Sequence, residues 1–174
     1  MCAVCRRYVL VEQAWCVGER RDGLKQLGDE YKFNSRRAGA VPLAALLDAV
    51  VPVLPSHVVV MPVPTLPATV RVRGFDHTGL IAHEFARRRG LNVQQLLERK
   101  ERTTLHFLDK RSRERLGPTL FAVRSGVEPP EHVLLIDDIV TTGTTVAAAT
   151  RLLKSLGVAR VDVAVIARQP FEKR

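Results

Sequence analysis

The sequence predicts an α/β fold in which a mostly parallel β-sheet is flanked by helices. Residues 133–136 read as an apolar strand, residues 143–156 as an Ala- and Leu-rich helix, and residues 160–167 as a second apolar strand. A strand, a helix and a strand in this order form a crossover unit whose two strands run parallel. Strands without polar alternation are typical of a sheet covered on both faces. The chain of 174 residues is long enough to bury such a core as a single domain.

The N-terminal part of the chain is predicted to contribute two further strands and two helices. Leu24, Leu27 and Tyr31 recur at helical spacing, which predicts a helix. Pro42 suits the first turn of a second helix, because a proline there sacrifices no hydrogen bond. Pro62 stops the strand that follows, since proline cannot donate to a sheet ladder. The predicted elements are strand 8–17, helix 22–33, helix 42–51 and strand 57–61.

The middle of the chain is predicted to hold one helix and two short strands. Leu80, Ile81 and Phe85 give residues 77–89 an apolar face, and Gly90 suits the position directly after a helix. Three consecutive arginines would form the basic end of this helix. The short strands are predicted at residues 92–97 and 120–123.

The charge balance favours anionic partners. Lys and Arg number 27 against 18 Asp and Glu, so the net charge at pH 7 is +9. Such a surface attracts polyanions, which include both nucleic acids and a multiply charged small substrate. The apolar runs are too short or too rich in proline to span a bilayer, and no signal peptide is recognised. We therefore expect a cytoplasmic protein without membrane insertion.

The three cysteines predict no complete zinc site. Cys2 and Cys5 have the spacing of half a zinc ribbon, but a second pair starting at Cys16 would need a cysteine where Glu19 stands. Structural zinc sites have four ligands as a rule. We therefore expect reduced thiols, as in other cytosolic proteins.

The segment 133–145 carries the clearest chemical signal. Asp137 and Asp138 follow the predicted strand, and a run of Thr and Gly follows them where a helix begins. In open α/β sheets, ligands bind beyond the carboxyl ends of strands, and the first turn of a helix offers N–H groups to a phosphate. Each feature alone has a structural explanation, since Thr caps helices and Asp occurs in turns. Their combination favours a phosphosugar site, with the carboxylates at sugar hydroxyls or a metal ion.

This segment resembles the phosphoribosyl pyrophosphate (PRPP) signature of type I phosphoribosyltransferases, in which two acidic residues and a Thr/Gly-rich loop follow an apolar strand. The resemblance implies the type I phosphoribosyltransferase fold. It also implies that Asp137 and Asp138 bind the ribose hydroxyls and the cofactor Mg²⁺. The residues implied to bind the 5-phosphate are Thr141, Thr142, Gly143, Thr144 and Thr145.

A second cluster follows strand 57–61. Residues 61–64 read Met-Pro-Val-Pro and residues 71–75 read Arg-Val-Arg-Gly-Phe. Arginine suits polyphosphates because its planar fork binds two oxygens, although isolated arginines more often belong to a solvated loop. The order of these residues resembles the ComF branch of the phosphoribosyltransferases, with Asp76 and His77 in place of the usual Asn-Gln. The PRPP-binding residues implied here, in and after a pyrophosphate loop, are Pro62, Val63, Arg71 and Arg73.

The charged segment 99–115 is the third cluster. Arg99, Arg102 and Thr103 fit the ComF pattern, whereas His106 replaces its usual Gln. In type I enzymes this region is a flexible loop that closes over the reacting centre, and the alternative is a mobile charged connector. The catalytic residues implied by the resemblance are Asp137, Asp138 and Arg102.

The resemblance divides the chain into a small N-terminal hood with a degenerate zinc ribbon (residues 1–30) and a phosphoribosyltransferase core (residues 31–174). It implies Mg²⁺-dependent transfer of phosphoribosyl from PRPP to a nitrogenous acceptor, which the sequence does not identify. One alternative is a competence protein that binds single-stranded DNA during DNA uptake, and another is a PRPP-sensing regulator without catalysis. The expected partners are PRPP, single-stranded DNA, a protein of the competence machinery and a second copy of the chain in a homodimer.

Overall fold

The computed structural model of the protein describes residues 10–33, 37–100 and 120–170. Strands and helices alternate along this part of the chain. The strands are β1 (Ala14–Glu19), β2 (Val59–Pro62), β3 (Asn92–Val93), β4 (Leu97–Arg99), β5 (Phe121–Val123), β6 (His132–Val140) and β7 (Arg160–Arg168). The helices are α1 (Asp22–Phe33), α2 (Ala40–Val50), α3 (Pro67–Arg73), α4 (His77–Arg89) and α5 (Thr144–Ser155).

Five strands form the main sheet in the spatial order β1-β7-β6-β2-β3. Every neighbouring pair in it is parallel, whereas β4 and β5 form a separate antiparallel pair. Helices on both faces connect the parallel strands, because parallel neighbours need a crossover connection. The predicted α/β fold, a mostly parallel sheet flanked by helices, is therefore confirmed.

Alternating side chains of β6 enter two separate cores. Leu134 and Ile136 pack on the face that α2 and α4 cover, in a cluster that includes Phe85. Val133 and Leu135 pack on the opposite face, with side chains of α5. All of these residues are fully or almost fully buried, and burying each large apolar side chain contributes about 1.5–3 kcal/mol. Burial on both faces explains why the strand sequence has no polar alternation.

β6 is longer than the sequence predicts and contains both aspartates. It continues to Val140, and Asp137 pairs in register with Val165 of β7. β7 extends to Arg168 and so gives the longer strand a partner, whereas β2 ends at Pro62. The prediction that the aspartates follow the strand is wrong, because pairing with β7 extends the strand through them.

The bounds of several other elements follow local signals closely. α1 and α4 have the predicted bounds, and Gly90 ends α4 with a φ of 63°, in the left-handed region that favours glycine. α2 begins two residues before the predicted position, and β2 is shifted by one to two residues toward Pro62. The first predicted strand is found as β1, within residues 14–19, while residues 1–9 lie outside the described part.

Two features of the middle region differ from the prediction. Residues 92–97 do not form one strand, because Asn92–Val93 joins the main sheet and Leu97 begins the antiparallel pair. The sequence also does not predict α3, which begins at Pro67 and ends at Gly74 with a φ of 78°. A helix of seven residues is too short to show apolar periodicity.

Part of the predicted N-terminal hood is continuous with the main sheet. β1 pairs in parallel with β7, with Ala14 opposite Val163. The predicted boundary after residue 30 falls inside α1, where Tyr31 is 1% exposed in the core. The division into hood and core stays a prediction. In the described part of the chain, no helix combines the length and the apolar character that crossing a membrane requires.

Candidate functional site

The connections of the main sheet reverse direction between β2 and β6. α4 leads from β2 outward to β3, and α5 leads from β6 outward to β7 on the other side. In open α/β sheets, ligands bind in the crevice beyond the carboxyl ends of the strands at such a reversal. Because β6 continues to Val140 while β2 ends at Pro62, this crevice opens beside the last residues of β6.

A cavity of about 270 Å³ occupies this crevice. Its wall joins the end of β6, the turn after β2, the starts of α4 and α5, and one side chain of β4. Sites for small molecules usually begin at roughly 300 Å³, so the volume of this open crevice lies near the lower end of that range. The lining residues are Val63, Pro64, Thr65, Leu66, Thr69, Arg73, His77, Thr78, Arg99, Asp137, Asp138, Ile139 and Thr145.

The structure brings together residues from each of the first two predicted clusters. The predicted site residues that line the cavity are Val63, Arg73, Asp137, Asp138 and Thr145. Those that lie beside it in the chain but not in its lining are Pro62, Arg71, Thr141, Thr142, Gly143 and Thr144. Pro62 is buried as the last residue of β2, and Arg71 is exposed near the end of α3. The ligand-binding roles of all these residues stay predictions.

Asp137 and Asp138 form the acidic edge of the cavity. Asp137 is 9% exposed, and its Oδ1 accepts a hydrogen bond of 2.9 Å from the backbone N–H of Asp138. Mg²⁺ prefers oxygen ligands and is usually held by one or two carboxylates together with substrate phosphates. The described residues contain no group of three or more His, Cys, Asp or Glu side chains that could hold a metal ion. Since both residues line the cavity, one or both carboxylates fit Mg²⁺ that binds together with a phosphorylated ligand.

The loop between β6 and α5 brings a helix start to the cavity. Gly143 directly precedes α5 and has a φ of 78°, a conformation that strains any residue with a Cβ. The hydroxyls of Thr142 and Thr144 share a hydrogen bond of 2.8 Å, and Thr145 lines the cavity. The positive end of a helix dipole and its unpaired N–H groups favour an anion at this position.

Two arginines carry positive charge to the cavity wall. Arg73 lies at the end of α3, and Arg99 lies on β4 with its guanidinium 5.0 Å from the centroid of the Phe121 ring. Contact with an aromatic face favours this position of the Arg99 cation. From the sequence, Arg99 is only part of a family pattern, and its place in the cavity depends on the pairing of β4 with β5. The predicted catalytic Arg102 lies outside the described residues, as do Cys2 and Cys5.

A group of aromatic rings that the sequence does not predict adjoins the cavity, which one of them, His77, lines. The His77 ring centroid is 4.4 Å from that of Phe75 and 5.2 Å from that of Tyr31. The Tyr31 hydroxyl donates a hydrogen bond of 2.8 Å to the backbone carbonyl of His77. Burial, together with the carboxylates of Asp76 and Asp138, raises the pKa of Tyr31 above its usual value. The one signal in the sequence is the Asp-His pair that departs from the ComF pattern.

This crevice, with its acidic edge and its threonine-rich helix start, is the arrangement expected of a phosphoribosyltransferase-type α/β protein. Residues 90–174 match the family described as the phosphoribosyl transferase domain. The curated relatives that match belong, by their names, to competence and DNA utilization.

Three of these relatives show the extent of the similarity. Competence protein ComFC of Streptococcus pneumoniae is 39% identical over 97 residues, which cover 55% of this chain and 41% of ComFC. DNA utilization protein YhgH of Escherichia coli K12 is 36% identical over 100 residues, which cover 55% and 43% of the two chains. Competence protein F of Haemophilus influenzae is 29% identical over 113 residues, which cover 63% and 49%. The match thus spans less than half of each relative's length. Over about half of its length, the chain is thus similar to a phosphoribosyltransferase domain and to competence and DNA utilization proteins.

Proposed function

We propose that the cavity at the end of β6 binds PRPP together with Mg²⁺. The observation that carries this proposal is the meeting of Asp137 and Asp138, the turn after β2 and the start of α5 around one cavity. Carboxylates accept hydrogen bonds from ribose hydroxyls, a helix start binds a phosphate, and arginines bind pyrophosphate oxygens. The relationship to phosphoribosyltransferases supports the same ligand.

The reaction we propose is the transfer of phosphoribosyl to a nitrogenous acceptor. The bond from the anomeric carbon to pyrophosphate breaks through an oxocarbenium-like transition state, and the acceptor nitrogen forms the new bond with its lone pair. When bound, Mg²⁺ neutralises charge on the pyrophosphate. Asp137 and Asp138 orient the ribose, while Arg73 and Arg99 stabilise the charge that develops on the leaving group.

Binding of PRPP is tested by isothermal titration with and without Mg²⁺. Asp138→Asn removes charge from the acidic edge, and we expect it to weaken PRPP binding about tenfold or more, since hydrogen bonds to charged groups contribute roughly 1.5–3 kcal/mol. The matched control is Glu131→Gln, because Glu131 is exposed directly before β6, at the other end of the sheet. Equal binding by wild type and Asp138→Asn contradicts the ribose role. No binding by wild type contradicts the proposal itself.

Release of pyrophosphate distinguishes a transferase from a regulator. The purified full chain is incubated with PRPP, Mg²⁺ and a panel of nitrogenous acceptors, and free pyrophosphate is measured. Release that depends on one acceptor, and is lost in Asp138→Asn, supports transfer. Tight PRPP binding without release with any acceptor supports a PRPP-sensing regulator instead.

A second candidate function is the binding of single-stranded DNA. The net charge of +9 and the names of the related proteins favour it. The rings of Tyr31, Phe75, Phe85 and Phe121 are buried, and Trp15 is partly buried against the core. DNA contacts of the described part would therefore go mainly to phosphates rather than to stacked bases. Affinity for a labelled oligonucleotide, measured by fluorescence anisotropy, should therefore fall steeply between 50 and 200 mM salt, roughly as the number of phosphate contacts dictates. Binding that is absent or insensitive to salt contradicts this function.

A further inference from the structure

We propose that Asp76 determines the direction of hydrogen bonding at Thr65 and thereby makes the cavity select magnesium-complexed phosphates over metal-free ones. The inference rests on the proposed function, because it concerns the phosphate ligand of the same cavity. It assigns a specificity role to a residue that does not itself line the cavity.

Asp76 stands at the N-cap position of α4 but does not cap the helix. Its backbone is extended, with φ −85° and ψ 107°, and its side chain makes no capping hydrogen bond. An aspartate at this position usually accepts a hydrogen bond from a backbone N–H of the first turn and stabilises the helix. Because α4 lacks this contact, the carboxylate is available for a different one.

Both oxygens of the Asp76 carboxylate have defined surroundings. Oδ1 accepts a hydrogen bond of 2.9 Å from Oγ1 of Thr65 in the turn after β2. Oδ2 lies against Gly79, where a Cβ would stand only 2.7 Å from it. Gly79 is buried in the first turn of α4, so the missing side chain provides the room for this carboxylate. The contact between the turn after β2 and the start of α4 therefore depends on Thr65, Asp76 and Gly79.

This contact restricts what Thr65 offers to a ligand. An ionised carboxylate only accepts hydrogen bonds, so the single hydroxyl proton of Thr65 points at Asp76. Thr65 lines the cavity, and toward a ligand its hydroxyl oxygen has only lone pairs left. A metal-free phosphate oxygen is also an acceptor, and the Asp76 charge behind Thr65 repels it. Water molecules on a phosphate-bound Mg²⁺ are donors and match this oxygen.

The ComF pattern has Asn at the position of Asp76. An Asn side chain can donate to the Thr65 oxygen, which would release the hydroxyl proton for a phosphate. Asp76→Asn is therefore the substitution that reverses the hydrogen bond while it preserves size. Thr65→Val removes the hydroxyl at nearly constant volume, and Thr65→Ser is its matched control because it keeps the hydroxyl.

The experiment is isothermal titration of the full chain and these variants with inorganic pyrophosphate and with PRPP, each with and without Mg²⁺. We expect Thr65→Val to bind metal-free pyrophosphate as wild type does and to bind the magnesium complex about three- to tenfold more weakly. We expect Asp76→Asn to bind metal-free pyrophosphate roughly three- to tenfold more tightly, because a negative charge is removed. Thr65→Ser should keep the wild-type ratio of the affinities measured with and without Mg²⁺.

Two results overturn the inference. If Thr65→Val weakens pyrophosphate binding equally with and without Mg²⁺, the Thr65 hydroxyl donates to the phosphate itself. If Asp76→Asn leaves the ratio of the affinities with and without Mg²⁺ unchanged, the Asp76 carboxylate does not influence ligand binding. If wild type binds neither ligand in either condition, the proposed function fails and this inference fails with it. Thermal unfolding of each variant shows that the comparison is made between folded proteins.

Discussion

The Tyr31 hydroxyl is expected to stabilise the fold through the start of α4. It donates to the His77 carbonyl over 2.8 Å, from a side chain that is 1% exposed. Tyr31→Phe keeps the ring contacts with Phe75 and His77 and removes only this hydrogen bond. A hydrogen bond between neutral groups contributes roughly 0.5–1.5 kcal/mol, and the His77 carbonyl still faces the N–H of Ile81 one turn further along α4. We expect Tyr31→Phe to lower the free energy of unfolding by about 1 kcal/mol at pH 7.

The same hydroxyl should limit stability at alkaline pH. Burial, with the charges of Asp76 and Asp138, raises the pKa of Tyr31 in the folded protein above its ordinary value of 10.0. Above that pH the unfolded chain releases the phenolic proton while the folded chain retains it, so the stability contributed by the neutral hydroxyl is complete below pH 10 and declines as the pH rises. Each pH unit in this range lowers the free energy of unfolding by up to about 1.4 kcal/mol.

Urea unfolding of wild type and Tyr31→Phe at pH 7, 9, 10 and 11 tests both parts. The other titrating groups are common to the two proteins, so the difference between their unfolding free energies reports on Tyr31 alone. This difference should stay constant up to about pH 9 and shrink above pH 10. Equal stability at pH 7 would refute the hydrogen bond as a stabilising contact, and a difference that stays constant to pH 11 would refute the raised pKa.

Two further substitutions test parts of the structure other than the Tyr31 hydrogen bond. Asp162→Ala removes a fully buried carboxylate that lies 2.9 Å from His132 Nε2 and 3.0 Å from Arg160 Nη2. Urea unfolding should show that the free energy of unfolding falls by about 3 kcal/mol. This is the lower end of the roughly 3–5 kcal/mol for a broken buried pair, because Arg160 is partly exposed. A loss below about 1 kcal/mol would show that the three groups are not coupled. Gly143→Ala places a Cβ at a φ of 78°, which should cost about 1–2 kcal/mol and weaken PRPP binding in titrations. Unchanged stability and affinity would mean that the loop before α5 adopts another backbone conformation.

The length of β6 cannot be predicted from its own residues alone. The apolar run 133–136 predicts the strand, but the two aspartates read as its end, because Asp is rare in strand interiors. Their backbone groups nevertheless pair with Val165 and its neighbours in β7. Whether a polar residue continues a strand thus depends on a partner strand whose paired residue, Val165 for Asp137, lies 28 positions further along the chain. Conversely, the sequence does not predict α3, because its seven residues include too few apolar positions to show helical periodicity.

The sequence by itself determined the order of the main elements and the types of polar side chain that the segment 133–145 carries, while the ligand of this segment stays a prediction. Both depend on spacing within a few residues, because strand burial, helix starts and glycine turns are local properties of the chain. The resemblance that the sequence shows also predicted that Arg73 and the turn after β2 belong to the same site, and both line the cavity. The comparison with known proteins agrees with the superfamily that these patterns indicate.

Only the tertiary structure decided which side chains meet at the cavity and how they are oriented. Tyr31 reaches His77 across 46 positions of the chain, and Thr65 meets Asp76 because the turn after β2 folds back on the start of α4. Arg99 joins the wall through a strand that lies outside the main sheet. These contacts depend on the packing of whole elements against one another, and no short-range pattern of residue types encodes the distance between two elements.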